Sequence, residues 1–171
     1  MATRIRTQFM RVVVLADTHL RRGGSRDLPE GVWAELDRAD VILHAGDVLI
    51  PELLDRLRSI APVHAVLGNN DHELRRVLPE TLVVDVGGIE VGMIHDSGPR
   101  GGREARMARR FPTAGLVVFG HSHLPFDAVG VGGQRLLNPG SPTERRMAPT
   151  RTVGIVDLRD GAIRRVRHVD V

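Results

Sequence analysis

The chain has no cysteine, no lysine and no tyrosine, and aromatic residues make up only 3% of it. Without cysteine it can have no disulfide, no thiolate metal site and no cysteine nucleophile, and nothing in it asks for an oxidising compartment. The shortage of rings means the core must be built from Val, Leu, Ile and Ala. It also leaves few platforms on which nucleic-acid bases could stack. Because lysine, tyrosine and cysteine are missing, almost nothing titrates between the α-amino group and arginine, so the pI of about 11.0 overstates how basic the protein is. The net charge is only +3, which implies no particular partner and does not indicate nucleic acid. No stretch approaches the ~20 apolar residues of a membrane span. Arg4, Arg6 and Arg11 precede a short apolar run that stops at Asp17, too short for a signal peptide. A cytoplasmic protein is expected.

What is present is 171 residues with 42% hydrophobic content, enough for one domain with a substantial core. Residues 1–9 are polar and aperiodic and are expected to be a flexible extension, with residues 10–171 forming a single domain. Residues 10–16 read as a strand buried on both faces. A helix over 29–38 opens on Pro29, a strand spans 41–44, a helix over 51–59 opens on Pro51, and a strand spans 63–67. That order argues for parallel βαβ units, whose ligands sit beyond the carboxyl ends of the strands. A short helix is expected near 73–77. Residues 82–86 and 89–94 flank Gly87-Gly88 as a hairpin. A helix over 103–110, a strand over 116–119, and hairpins around Gly132-Gly133 and Asp160-Gly161 complete the chain. A parallel half followed by an antiparallel half suggests two packed sheets with helices outside.

The polar residues gather at the ends of these strands. Asp17-Thr18-His19 puts a carboxylate and an imidazole two residues apart, a pair suited to a divalent ion. Gly46-Asp47, Gly68-Asn69 and Gly120-His121 repeat one device, a glycine that lets the backbone turn sharply before a ligand type. His95 follows another strand, and His123 lies two residues beyond His121. Asp17, His19, Asp47, Asn69, His95, His121 and His123 are too many for one tetrahedral zinc, whereas two ions sharing one carboxylate would use them all. Donors of N and O without sulfur suit Mn, Fe, Zn or Co better than Mg or Ca. Two metals ~3.5–4 Å apart are an arrangement for activating water and clamping a phosphoryl group.

The order D-x-H, GD, GN-x-D, H, GHxH resembles the calcineurin-like metallophosphoesterases. With Asn138-Pro139-Gly140-Ser141 near the end, it looks like their small bacterial and archaeal phosphodiesterase branch. The resemblance implies an α/β (α+β) fold, a four-layer α-β-β-α sandwich of two packed mixed β-sheets. It implies two divalent ions, manganese first, with Fe, Zn, Co or Ni as further candidates. Asp17, His19, Asp47 and His123 would hold one ion, and Asp47, Asn69, His95 and His121 the other, with Asp47 as bridge. Asp47, Asn69 and His121 are the expected catalytic residues of a phosphodiesterase that hydrolyses small phosphate esters by attack of a metal-bridging hydroxide. Two departures bear on rate. Asn70 stands where many relatives carry histidine or cysteine, and Ser97 where many carry a second histidine. A preference for activated leaving groups is expected.

Around this set, Asn70, Arg21 and Ser97 are the candidate substrate contacts, and Arg22, Arg145 and Arg146 are solvated unless they reach a phosphate. Asp71 reads as a helix cap or loop hydrogen-bonder before a ligand partner. His44 reads as a buried histidine bonded to a loop, and His64, His72 and His168 as structural or surface residues. A homo-oligomer is compatible with the chain. Two other readings stand beside the enzyme. One is a weakly catalytic metal-binding scaffold resembling the retromer subunit, which full retention of the ligand set argues against. The other is a nuclease, which the paucity of aromatics argues against.

Overall fold

The computed structural model describes residues 9–171, so the extension expected over residues 1–9 lies, except for Phe9, outside the described residues. The first sheet is built from β1 (Phe9–Leu15), β2 (Val41–His44) and β3 (Val63–Ala65), with β9 (Thr152–Arg159) and β10 (Ala162–Asp170) from the far end of the chain. Its order is β10-β9-β1-β2-β3. The second sheet contains β4 (Thr81–Val86), β5 (Ile89–Ile94), β6 (Leu116–Val118), β7 (Phe126–Val129) and β8 (Arg135–Asn138), in the order β4-β5-β6-β8-β7.

Alternation along β1 dictates the layering. Val12 and Val14 face the second sheet, packing with Leu43, Val91, Met93, Leu116 and Val118. Val13 and Leu15 point the other way, onto α1 (Glu30–Leu36) and α2 (Pro51–Arg58), where Val32, Leu36, Leu53, Leu54 and Leu57 are buried. Outside the second sheet, Met107 of α3 (Arg103–Arg110) joins Phe111, Val117, Phe119 and Leu136. Helices, sheet, sheet and helix therefore form the expected four-layer sandwich. The apolar filling of each interface drives its assembly. Truncating Leu54, 1% exposed, to alanine would cost about 2–5 kcal/mol.

The expectation of a parallel half and an antiparallel half needs correction. β5, β6 and β8 are mutually parallel at the centre of the second sheet, because α3 carries the chain back over it between β5 and β6. The last hairpin leaves the second half of the chain and pairs antiparallel to β1, with Val12 opposite Val156. The helix expected near 73–77 is one 3-10 turn, His72–Leu74. The hairpin expected around Gly132-Gly133 forms, with β7 antiparallel to β8 and a 3-10 turn, Val131–Gly133, at its tip. As a result β1, β2 and β3 end at the same rim of the molecule as β5, β6 and β8, and each of these ends leads into a loop.

Candidate metal centre and its flanking clefts

Asp17 and His19 follow β1, Asp47 follows β2, Asn69 follows β3, His95 follows β5, and His121 and His123 follow β6. The seven side chains meet at the shared rim. His123 Nε2 lies 3.5 Å from Asp17 Oδ1, and His19 Nε2 and His95 Nε2 each lie 3.9 Å from it. Asp47 Oδ2 sits 3.4 Å from His19 Nε2 and 3.5 Å from His95 Nε2. Asn69 Oδ1 lies 3.0 Å from His95 Nε2 and 3.1 Å from His121 Nδ1. The Nε2 atoms of His19 and His123 are 3.2 Å apart.

This convergence is held by strained backbone. Asp17, His19, Asp47, His121 and His123 all have positive φ, between 46° and 70°, a region that costs energy for residues with side chains. Such strain persists only where the surroundings over-determine it, and it clusters at functional sites. The glycines contribute in two different ways. Gly46, at φ 89°, makes the expected turn. Gly68 does not. It is needed because a Cβ there would lie 2.1 Å from the Asp47 nitrogen and 2.2 Å from Asp47 Oδ1. At Gly120 the Cβ would lie 2.9 Å from Asp17 Oδ2. For these two, close approach rather than turning is the reason for glycine.

Several residues lock the donors. Asp71 is buried, and its carboxylate accepts N–H bonds from Asp47 (2.9 Å), Leu49 (2.7 Å) and Gly68 (2.7 Å). It is thus a loop hydrogen-bonder that fixes the Asp47 turn. No side-chain bond caps the 3-10 turn that follows it. Asn70 donates its backbone N–H to Asp47 Oδ1 (2.9 Å) and its amide to Asp47 Oδ2 (2.7 Å). His95 Nδ1 lies 2.7 Å from the Ala45 carbonyl and His123 Nδ1 2.6 Å from the Glu144 carbonyl. A carbonyl only accepts, so both Nδ1 atoms carry the proton and both rings turn Nε2 toward the centre, the orientation a metal-ligating histidine needs. The Asn138-Pro139-Gly140-Ser141 run braces two ligand loops: Ser141 Oγ donates to Asp17 O (2.8 Å) and Asn138 Nδ2 to Gly120 O (2.9 Å). His44 is buried and bonded through Nε2 to Thr18 Oγ1 (3.1 Å), as expected of a loop-bonded histidine. His168 Nε2 is bonded to the Asn138 carbonyl (2.7 Å).

The electrostatics favour a cation. Both Asp17 oxygens are buried and no side chain donates a hydrogen bond to them. Burial, reinforced by the neighbouring Asp47, pushes the Asp17 carboxyl up to about 7. Burial also works to raise Asp47, but His95 and the two Asn70 donors outweigh it and hold that carboxyl below the usual range. Burial lowers His19 and His123, keeping their imidazoles neutral and able to ligate. His95 is the exception, raised by Asp47 and Asp17 against the effect of its burial. A buried Asp17 carboxylate ringed by imidazole nitrogens fits a divalent cation. Asp17 with His19 and His123, and Asp17 with Asp47 and His95, are groups that could hold one.

Two clefts flank the centre. The first, about 620 Å³, is lined by His19, Arg21, Leu49, Asn70, Glu144 and Arg146 among others. The second, about 600 Å³, opens over Asn69, His95 and His121 and includes Arg75, Asp96 and Arg110. Of the candidate substrate contacts, Arg21 and Asn70 line the first cleft. Ser97 lines neither. It is buried, with its carbonyl accepting from Arg106 Nε at 2.8 Å. Arg75 and Arg110 were missed in the sequence, since only packing reveals that they reach this rim.

A four-layer sandwich that collects carboxylates and imidazoles at the joined strand ends of both sheets is the arrangement of a metal-dependent phosphoesterase. The chain belongs to the calcineurin-like phosphoesterase superfamily, whose domain matches residues 10–161. It is 35% identical to a probable metallophosphoesterase of Methanocaldococcus jannaschii over 156 residues, 88% of this chain and 77% of that one. Its fold is similar to that of Vps29 from Entamoeba histolytica complexed with zinc, at 26% identity and TM-score 0.70, covering 94% of this chain and 99% of that one. A structure described as a novel archaeal phosphodiesterase shares the fold at 16% identity and TM-score 0.67, covering 95% of this chain and all of the other. Among the described residues no helix is long and apolar enough to cross a membrane.

Proposed function

We propose that the protein is a dinuclear metal-dependent phosphodiesterase acting on small phosphate esters, with manganese as the first candidate metal. The observation that carries this reading is Asp17, a buried carboxylate without a side-chain hydrogen-bond donor, surrounded by the Nε2 atoms of three histidines within 3.9 Å. In the proposed assignment Asp17, His19, Asp47 and His123 hold one ion, and Asp47, Asn69, His95 and His121 the other. Two divalent ions bound there supply an acidified water and positive charge against the phosphoryl oxygens.

The chain's own residues set the geometry. Asp71 fixes the Asp47 turn, and Asn70 orients the Asp47 carboxylate by two hydrogen bonds. Ala45 and Glu144 carbonyls set the tautomers of His95 and His123. No imidazole stands at Asn70 or Ser97 to protonate a departing alkoxide, so turnover should favour leaving groups of low pKa. The test is hydrolysis of an aryl phosphodiester by manganese-loaded protein, with Asp47→Asn as control. Loss of turnover with the fold intact supports the bridge, and wild-type activity in that variant removes it.

A second reading, a metal-binding interaction protein with little hydrolysis, stays open through the similarity to Vps29 but is not favoured by it. Retention of all seven donor types weighs against it. Bound metal without turnover across metals and esters would decide in its favour.

A further inference from the structure

The first cleft contains more cation than its own carboxylates can use. Its acidic lining residues are already paired: Glu73 with Arg22 at 3.2 Å, and Glu144 with Arg26 at 2.8 Å. Arg22 is further neutralised by Glu52 at 2.7 Å. Arg21 and Arg146 remain. Among the described residues the Arg21 guanidinium has no hydrogen bond or ion pair, and Arg146 has one long bond, 3.4 Å, to the His121 carbonyl. Both are exposed. Arg146 adopts φ 48°, a strained conformation shared with the donor residues beside it. Its charge is felt at Asp17, His19 and His123. The same cleft is lined by Leu49 and Ile50, which add apolar surface beside these cations. Its volume, about 620 Å³, is that of a site for a small molecule rather than for a single phosphoryl group.

We propose that this cleft is a subsite for a second phosphate, carried on one arm of the diester, with Arg21 and Arg146 as its cationic partners. The inference rests on the phosphodiesterase reading above. The scissile phosphoryl group lies at the metal centre, the apolar part of the arm lies over Leu49 and Ile50, and the terminal phosphate meets the two guanidinium groups. Arginine suits this task because its planar fork pairs with phosphate oxygens in a bidentate way. Paired acids elsewhere in the cleft prevent Arg21 and Arg146 from being quenched before substrate arrives.

The test compares the p-nitrophenyl ester of thymidine 5′-phosphate with the same ester carrying a 3′-phosphate, using manganese-loaded protein. The wild type should prefer the phosphorylated ester about tenfold in kcat/KM, mainly through KM. In the Arg21→Gln/Arg146→Gln double variant the preference should fall to near unity. Arg164→Gln, which removes the same charge from an exposed site on β10, should keep it. No preference in the wild type, its survival in the double variant, or its equal loss in Arg164→Gln would overturn the proposal. If neither ester is hydrolysed, the phosphodiesterase reading fails and the subsite is judged by calorimetry. Thymidine 3′,5′-bisphosphate should then bind about tenfold tighter than thymidine 5′-monophosphate in the wild type but not in the double variant, and equal affinities in the wild type would overturn it.

Discussion

Replacing Asp17 with asparagine should stabilise the metal-free protein above neutral pH and reduce the stability that metal confers. The unfolded carboxyl ionises near 3.8 and the folded one at about 7, because burial, reinforced by Asp47, disfavours its charge by more than His95 favours it. Between those values the folded state binds more protons than the unfolded state, so metal-free stability falls as pH rises from about 4 to about 7. A shift of about three units at 1.4 kcal/mol each makes the cost at pH 8 roughly 4 kcal/mol. An asparagine amide of the same shape is itself unpaired there, at about 1–3 kcal/mol. The variant should therefore gain about 1–3 kcal/mol in chelator at pH 8, or about 3–9 °C in Tm for a chain of this size. At pH 5 the folded wild-type carboxyl is protonated, about 3 kcal/mol of the difference disappears, and the advantage should vanish. Adding manganese should raise the wild-type Tm more than that of the variant, which keeps an intact donor set for the second ion only. Thermal melts at both pH values, with chelator and with metal, read all of this. A variant less stable than wild type at pH 8 by a pH-independent amount would refute the reasoning, because Asp17 would then have an ordinary partner.

Three further outcomes follow from the same geometry. Gly68→Ala forces a Cβ into the Asp47 backbone and carboxylate, and should cost at least about 2–3 kcal/mol in urea unfolding and lower bound metal per chain. Asp71→Ala strips three N–H groups of their acceptor and should cost about 3–5 kcal/mol, with kcat falling alongside, in denaturation and steady-state assays. Burial pushes His44 down to about 3, so the folded state keeps it neutral while the unfolded chain takes up a proton below about 6.5. Stability is therefore lost as pH falls through that window, at about 1.4 kcal/mol per unit, and His44→Gln should flatten the acid limb of a stability-against-pH curve.

The donor set was legible in the sequence because its members lie just past apolar runs, where a buried strand gives way to a loop. Burial of β1 on both faces was legible for the same reason, since only a middle sheet layer accepts an unbroken apolar run. Strand partners were not. Val156 and Val12 read as buried, but nothing local says that they pair, or that β5, β6 and β8 run parallel. The role of Gly68 also escaped, because steric need is a property of Asp47, which approaches it only in the fold. Asp71 reads in the sequence as a helix cap or loop hydrogen-bonder, yet the bonds that matter reach Asp47 and Leu49, more than twenty positions away. The clefts depend on which arginines are already paired, and ion pairing of flexible side chains has no sequence pattern to read.

The central claim is that two metals on this donor set hydrolyse a phosphodiester. It is tested most directly by titrating metal-free protein with manganese while following hydrolysis of bis-p-nitrophenyl phosphate. The account predicts activity that rises to a plateau at two ions per chain and is absent from Asp47→Asn at every occupancy. Two bound ions without hydrolysis, or a plateau at one, would contradict it.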